Sequence, residues 1–275
     1  MNGQRVFPAV LALTVLSAAW PARQTRPPAD LAGLLDQAAK YCDRLSRSVL
    51  DFVCRERVEE WFRPEVSGRT ASGLFAVGGV RKRHVYVYDF QLVRDRAGLI
   101  RESRMLLQED KKKLHVPDAP LKTSRFFHAR VVMGPLGLLS RERQADHDYR
   151  ILREERVGQE RAFVVEAVPR PGVLSDHLVG TVWLTAGDAG VLKIEWDPSS
   201  MDNYAGVQES ADRLRMTPRV VLTSEYAFEK NGIRFPSRYT VKEIYVRGPR
   251  SFQRSQVDVT YDEYKFFTVE TQVVF

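Results

Sequence analysis

Most of the sequence after residue 50 consists of runs in which apolar and polar side chains alternate, and this pattern constrains the fold more than any other feature. In HVYVYDFQLV, residues Tyr86, Tyr88, Phe90 and Leu92 share one face, as in a half-buried β-strand. The first run of this kind begins at about Val53. Further strands are predicted at 99–108, 148–157, 160–168, 179–185, 190–196, 218–230, 233–247 and 254–267.

Turn signals separate these runs and indicate how the strands connect. Asn231-Gly232 is the strongest hairpin signal, because both residues tolerate the positive φ of a tight turn. Similar signals stand at 95–98, 157–159 and 186–190. Consecutive hairpins predict an antiparallel sheet wound in sequence order. A parallel sheet would require strands that alternate with helices, and the sequence does not show this alternation.

One long helical pattern precedes the strands. After Asp30, a candidate N-cap, apolar residues recur at spacings of three and four and form a single stripe, which requires an apolar partner surface. A further turn of helix is possible near 135–140. The stripe comprises Leu31, Leu34, Leu35, Ala38, Tyr41, Cys42, Leu45, Val49 and Phe52.

The number of strands indicates the architecture. At least nine strands are predicted, which is more than a flat sheet tolerates, so the sheet is expected to curl or close. We therefore predict a mainly β (α+β) fold, in which a strongly curved antiparallel sheet or incomplete β-barrel holds the N-terminal amphipathic helix in its concave face. No internal boundary is visible, so residues 30–275 are interpreted as one domain.

The inward-facing residues of this sheet have two interpretations. They either form an ordinary packed core or line an apolar ligand cavity that one helix only partly fills. The candidate lining residues are Tyr86, Tyr88, Phe90, Leu92, Phe163, Leu192, Ile194, Trp196, Tyr226, Phe228, Tyr239 and Val241.

Residues 115–140 form a long apolar segment without a clear period. This segment is expected either to form a lid across the cavity or to cross the core as ordinary packing. The candidate lid residues are Phe126, Phe127, Met133, Leu136 and Leu138.

Lys111, Lys112 and Lys113 form the densest basic run of the chain. One interpretation is a solvated hairpin tip. The other is a contact with an anionic membrane surface or an envelope protein, to which the nearby Arg125 and Arg130 would contribute.

The N-terminus predicts the compartment. Residues 1–19 combine Arg5, an uncharged run of 14 residues and the small residues Ser17 and Ala19, as in a secretory signal peptide cleaved after Ala19. Residues 20–29 are Pro-rich and polar and are interpreted as a linker. No Cys directly follows the apolar run, so a lipoprotein anchor is not indicated and a periplasmic or secreted location is expected.

The charge balance bears on the partners. The chain has 42 Lys and Arg against 35 Asp and Glu, and loss of Arg5 with the signal peptide changes the net charge from +7 to +6. Outside the cytoplasm, nucleic acid is not an expected partner, whereas anionic lipid headgroups and envelope polymers are. No later stretch approaches the length of a membrane-spanning helix.

The two cysteines allow a disulfide only if the helix ends between them. Cys42 and Cys54 would lie about 18 Å apart in one unbroken helix, which is too far for a bond. If the helix ends near Leu50 and Cys54 opens the first strand, they could meet, and export permits oxidation. A disulfide and two buried free thiols both remain open.

Catalytic and metal-binding motifs are missing from the sequence. There is no HExxH, no G-x-S-x-G elbow, no S-x-x-K and no P-loop. The five His residues show no spacing typical of metal ligands and are assigned structural or surface roles. The sequence therefore predicts a non-enzymatic protein with no catalytic residue, no metal and no cofactor.

The hairpin VWLTAGDAGVLKIEWD and the following G-I-x-F-P-S-x-Y at 232–239 give the chain a family resemblance. With the leading helix, this succession of long hairpins resembles the LolA/LolB-like superfamily of periplasmic lipoprotein carriers and related lipid-binding proteins. The resemblance implies an incomplete β-barrel whose mouth is closed by helices. It also implies an exported binding protein for a lipid, an acyl chain or a lipoprotein anchor.

Two other functions remain open. One is an envelope structural or interaction module with a packed core and no small ligand. The other is an outer-membrane β-barrel, suggested by the alternating C-terminal residues Phe267, Val269, Thr271, Val273 and Phe275.

Overall fold

The computed structural model describes residues 30–64, 79–173, 178–201 and 204–267, and the predicted signal peptide and linker lie outside this range. The described elements are α1 (Leu31–Ser48), β1 (Phe52–Phe62), β2 (Lys82–Arg94), β3 (Ile100–Glu109), β4 (Lys112–Val116), α2 (Gly134–Leu139), α3 (Arg141–Asp146), β5 (His147–Val157), β6 (Glu160–Pro169), β7 (Gly180–Thr185), β8 (Val191–Trp196), α4 (Tyr204–Leu214), β9 (Thr217–Glu225), β10 (Phe228–Lys230), β11 (Ile233–Phe235), β12 (Arg238–Arg247) and β13 (Arg250–Phe266).

Eleven of the strands form one antiparallel sheet in the order β4-β3-β2-β1-β13-β12-β9-β8-β7-β6-β5. From β1 the chain steps outward to β4 and crosses to β5 at the other edge. It then returns strand by strand until β13 pairs with β1, with α4 between β8 and β9 and the pair β10–β11 between β9 and β12. The sheet therefore curls around a core and stays open between β4 and β5. This arrangement confirms the predicted mainly β fold, an incomplete barrel with an N-terminal helix.

Helix α1 buries its predicted stripe against the inner face of the sheet. Leu34, Ala38, Tyr41, Cys42 and Leu45 are buried and belong to one continuous apolar cluster with the sheet residues. Among the described residues, no helix is long and apolar enough to cross a membrane.

The helix ends earlier than its apolar pattern predicts. Phe52 is the last residue of the predicted stripe, but it opens β1 and packs edge-on against Phe235 with ring centroids 5.3 Å apart. It thereby joins an aromatic cluster with Tyr264 and Phe266 at this end of the sheet. Packing with distant strands thus overrides the local helical period.

Two predicted strands are each divided in two by the sheet topology. The prediction for 218–230 becomes β9 and β10, and that for 233–247 becomes β11 and β12. Pro236 lies at the second break, where its missing N–H would interrupt the ladder. Asn231 and Gly232 have φ of 54° and 70° and form the predicted turn, which joins the short hairpin β10–β11.

Helix α4 and strand β4 were not predicted. Helix α4 buries only Val207, Ser210, Ala211 and Leu214, which is too few apolar positions to give a clear period. Strand β4 is short, and its Lys residues gave no alternating pattern.

Candidate functional site

The concave face of the sheet contains most of the predicted cavity residues, and they form a packed core. Tyr86, Tyr88, Phe90, Leu92, Ile194, Tyr226 and Val241 are buried, while Phe163, Trp196, Phe228 and Tyr239 are half-buried against the same cluster. The space between them is filled by α1 and by the segment between β4 and α2.

Leu192 is the exception and lies on the outer face. It packs with Ala162, Val164 and Trp183 in a small second cluster. The pairing of β7 with β8 shifts register between Trp183 and Leu184, which is a β-bulge. The inserted residue changes which face the side chains of β8 point to, so strict alternation from Ile194 is wrong for Leu192.

The segment between β4 and α2, here called the strap, comprises the 17 residues 117–133. It contains neither helix nor strand, and a segment this long without regular structure is uncommon in a compact domain. Phe126, Val131 and Val132 are buried in the core cluster, whereas Phe127 is 66% exposed. The strap is therefore an irregular apolar cover on the concave face.

Of the other candidate lid residues, Met133 ends the strap and is half-buried against the core. Leu136 and Leu138 lie in the following helix α2, where Leu138 is buried and Leu136 half-buried.

The backbone of the strap is bound by carboxylates that rise from the sheet. Glu60 of β1 is fully buried and accepts the N–H groups of Ser124 and Arg125, each at 2.8 Å. Glu102 of β3 accepts the N–H of Arg130 at 2.6 Å. Two acidic side chains thus supply partners that an irregular backbone lacks.

A second contact joins the strap to the sheet through a buried charge cluster. Glu56 is fully buried and accepts bonds from Arg104 at 2.5 and 3.0 Å, and Nε2 of His128 lies 2.8 Å from its Oε1. Burial alone would raise the pKa of Glu56, but the charges and hydrogen bonds of His128 and Arg104 outweigh it and lower the pKa to about 2. Glu56 is therefore a carboxylate at neutral pH.

A third contact is the ion pair between Arg125 of the strap and Glu243 of β12. Arg125 Nε donates to Glu243 at 2.9 Å, and Ser255 and Tyr245 donate to the same carboxylate at 2.6 and 2.5 Å. Burial of Glu243 opposes its ionisation, yet the bonds and charge of Arg125 hold its pKa below the ordinary value. The strap therefore spans the face from β3 to β12.

The end of the strap packs tightly before α2. Tyr226 is fully buried and donates to the carbonyl of Val131 at 2.8 Å. A Cβ on Gly134 would lie 2.7 Å from Tyr226 Oη and 3.0 Å from a Trp196 ring carbon. Only glycine permits this close approach of the backbone to the two rings.

Two polar atoms of the strap are buried without a hydrogen-bond partner in the described part of the chain. They are Nδ1 of His128 and Oγ1 of Thr123. Each such atom reduces the free energy gained by closing the strap, by about 1–3 kcal/mol. Together with the three buried carboxylates, they make the strap a less stable cover than an apolar core element would be.

Two surface grooves of the described structure lie away from the predicted cavity residues. One is a groove of about 560 Å³ beside α4 and the β12–β13 turn, lined among others by Arg215, Met216 and Arg247. The other, of about 280 Å³, includes Val53 and Met105. Neither groove is lined by a residue predicted to line the cavity.

The structure leaves both cysteines as buried free thiols, so the open alternative of a disulfide is not realised. The thiol of Cys42 faces α2 and donates to the carbonyl of Pro135 at 3.6 Å. Cys54 instead lies on β1 next to Tyr264. Burial raises the pKa of Cys42 to about 12, so this thiol is protonated at neutral pH.

Some residues of the predicted basic contact lie on the surface, and one is bound to a buried partner. Lys111, Lys112 and Lys113 are exposed at the β3–β4 turn. Arg125, which was expected to add to this surface, is instead committed to the ion pair with Glu243. No group of three or more His, Cys, Asp or Glu able to hold a metal occurs in the described ranges.

Sequence reasoning missed Glu56, Glu60 and His128 as functional candidates. The signal was present, because Phe52, Cys54, Glu56, Val58 and Glu60 occupy alternate positions on the inner face of β1. Two carboxylates on a face that is otherwise apolar require buried partners.

Comparison with known proteins gives distant likenesses. No protein-family model matches the chain, and no curated protein matches it. Solved structures similar to it include a DUF1329 family protein from Desulfovibrio piger, with 13% identity, 86% and 92% of the two chains covered and a TM-score of 0.38. A LolA superfamily protein from Nitrosomonas europaea has 12% identity, 86% and 94% coverage and a TM-score of 0.35.

A domain from Vibrio parahaemolyticus, described as an outer membrane lipoprotein-sorting protein, has 10% identity, 86% and 94% coverage and a TM-score of 0.38. One of these structures, the protein from Nitrosomonas europaea, is described as a member of the superfamily that the hairpin pattern resembles. At such identities and TM-scores the likeness assigns no ligand, activity or partner to this chain.

Proposed function

We propose that this protein is an exported, non-enzymatic binding protein for a lipid, an acyl chain or the acyl anchor of a lipoprotein. The ligand would occupy the concave face of the sheet, in place of the strap. The observation that carries this proposal is the strap itself, an irregular segment that fills an apolar face but is fixed there by buried charges.

The energetics allow exchange of the strap for an acyl chain. Displacing the strap uncovers aromatic residues that it contacts, such as Tyr88, Tyr226 and Tyr239. An acyl chain would cover them again, at about 0.8 kcal/mol for each CH₂ buried. When the strap closes, it also removes carboxylates from water, and this desolvation cost offsets part of the free energy gained by burying its apolar residues. The free energies of the strap-closed and ligand-bound states therefore differ little.

The N-terminal sequence supports export. Residues 1–19 have the layout of a cleaved signal peptide, which supports a location in the cell envelope or outside the cell.

Native mass spectrometry tests the proposal directly. The mature protein would be exported, purified without detergent, and analysed before and after organic extraction. A reproducible extra mass that the extraction removes and identifies as a lipid supports the proposal. A folded protein with no bound mass, and with no uptake of a fluorescent fatty acid such as parinaric acid, contradicts it.

A pair of strap variants sharpens the test. Arg125→Gln removes the ion pair with Glu243, loosens the strap and is expected to increase parinaric acid uptake. Arg130→Gln changes an exposed side chain of the same strap and should leave uptake at the wild-type level. Equal uptake by both variants would show that the strap does not control access to the face.

A packed interaction module is the second candidate. It is favoured by one observation, that the predicted lining residues are already filled by α1 and the strap. In that case no lipid binds to the wild type or to Arg125→Gln, and the variant loses only stability.

A further inference from the structure

Unpaired basic residues converge on one end of the sheet. At this end β1 finishes and β2 begins, with Phe62 opposite both Lys82 and Ser255. The β3–β4 turn and the β12–β13 turn lie at the same end, the latter with Arg247 opposite Arg250. Strands far apart in the sequence therefore bring their terminal cations together.

This end of the sheet, here called the basic rim, carries ten exposed cations that form no ion pair within the described ranges. They are Arg63, Arg81, Lys82, Lys111, Lys112, Lys113, Arg215, Arg219, Arg247 and Arg250.

The acidic residues near the rim do not neutralise it. Glu59 pairs with Arg83 and Glu109 pairs with Lys122, while Asp110 accepts the N–H of Val85 and remains one carboxylate of the rim. Glu209 and Asp212 of α4 add two exposed carboxylates, of which Asp212 lines the groove. The remaining charge is strongly positive.

The rim is long and follows strand ends, so it fits an extended surface better than a small anion. Its cations span the seven adjacent strands from β4 to β9. At about 4.8 Å between neighbouring strands, this corresponds to roughly 29 Å along the rim.

Apolar and aromatic groups accompany the cations, as they do in proteins that contact bilayer surfaces. Val80 is 88% exposed. Arg81 lies over the ring of Trp61 at 4.0 Å, and Lys82 lies 6.0 Å from the centre of the Phe62 ring.

The strap turns at this same end of the sheet. Lys122 pairs with Glu109 at the end of β3, and Ser124 binds Glu60 near the end of β1. The part of the strap at this end, residues 122–124, is here called its apex. A surface that contacted the rim would face this apex.

We infer that the basic rim docks the protein on the surface of an anionic lipid bilayer, with the apex of the strap facing the headgroups. The biological meaning of this contact rests on the proposed function, because docking there would place the strap where an acyl chain enters or leaves. The electrostatic contact itself does not require a bound ligand. Each cation near such a surface increases binding by roughly fivefold at low salt.

Co-flotation with lipid vesicles tests the inference. The mature protein is mixed with vesicles of phosphatidylcholine alone, or of phosphatidylcholine with phosphatidylglycerol. We expect binding only to the anionic vesicles, and its loss at high salt because the contact is screened. Failure to bind anionic vesicles, or equal binding to both kinds, overturns the inference, and the first result would favour an acidic protein partner for the rim.

Three charge-matched triple variants locate the contact. One neutralises Lys111, Lys112 and Lys113, and a second neutralises Arg215, Arg247 and Arg250, each by substitution with Gln. Each should reduce vesicle binding by about a hundredfold. A control neutralises three exposed cations at the opposite end of the sheet, Arg96, Lys230 and Lys265.

The control variant should bind vesicles nearly as well as the wild type. If it loses as much binding as the rim variants, net charge rather than the rim is responsible and the inference is wrong. Circular dichroism verifies that every variant is folded.

The same proteins separate this inference from the proposed function. Native mass spectra should show the same bound lipid in the rim variants as in the wild type, since the rim lies outside the concave face. A wild type without bound lipid that still floats through its rim would disprove the carrier function and leave the docking surface supported. A protein that carries bound lipid but does not float with anionic vesicles would support the carrier function and disprove docking through the rim.

Discussion

Replacing Phe126 by Ala tests whether the strap is packed as a true part of the core. Phe126 is 2% exposed, and its neighbour Phe127 is 66% exposed on the same irregular segment. The two substitutions remove the same atoms from adjacent positions. Any difference between them therefore measures burial and not composition.

The burial of each ring determines how much stability its removal should cost. Truncating a fully buried Phe costs about 3–5 kcal/mol, while truncating an exposed one stays within about 0.5 kcal/mol. In a domain of this size the first change corresponds to a loss of roughly 6–20 °C in melting temperature.

Urea unfolding followed by circular dichroism measures both variants against the wild type. The unfolding slope reports whether the native state has kept its compactness. A Phe126→Ala variant as stable as Phe127→Ala would show that the strap does not pack on the sheet, and the account of the concave face would fail with it.

Three further outcomes follow from the buried groups. Because the pKa of Glu56 is lowered to about 2, its contribution of about 3 kcal/mol is present above pH 4.5 and is lost as the pH falls towards 2. The difference in unfolding free energy between wild type and Glu56→Gln, measured by urea unfolding at each pH, should therefore narrow over that range. A constant difference contradicts the ion cluster. Cys42 and Cys54 should not react with Ellman's reagent in the native protein and should both react in urea, and one native-state reactive thiol would refute their burial. Gly134→Ala should cost about 1–3 kcal/mol in urea unfolding, because the added methyl meets two rings, and a neutral result would mean that the strap end is not closely packed.

The strands were predictable because their information is local. The run predicted at 148–157 corresponds to His147–Val157, and the run at 190–196 to Val191–Trp196. Alternation and turn residues determine such elements within a few positions. The side-by-side order of strands also followed from the hairpins, except at two places: β5 lies at the opposite edge from β4, and β13 pairs with β1.

The candidate site could be predicted only in part, because its decisive contacts join distant residues. The apolar segment that contains Phe126 and Leu138 was predicted from its composition, either as a lid or as a core crossing. Two of the carboxylates that hold the strap, Glu60 of β1 and Glu243 of β12, lie 64 and 118 residues away from the groups they bind. No local pattern encodes those pairings, and the same holds for the bulge that turns Leu192 outward.

Hydrogen exchange of the strap amides measures directly whether an acyl chain displaces the strap. The N–H groups of Ser124, Arg125 and Arg130 donate to carboxylates in the closed state and should exchange slowly. If an acyl chain replaces the strap, saturating the protein with a fatty acid should accelerate exchange at these three amides while the amides of β1 stay protected. Fatty acid binding that leaves the strap equally or better protected would contradict the account, as would the absence of any binding.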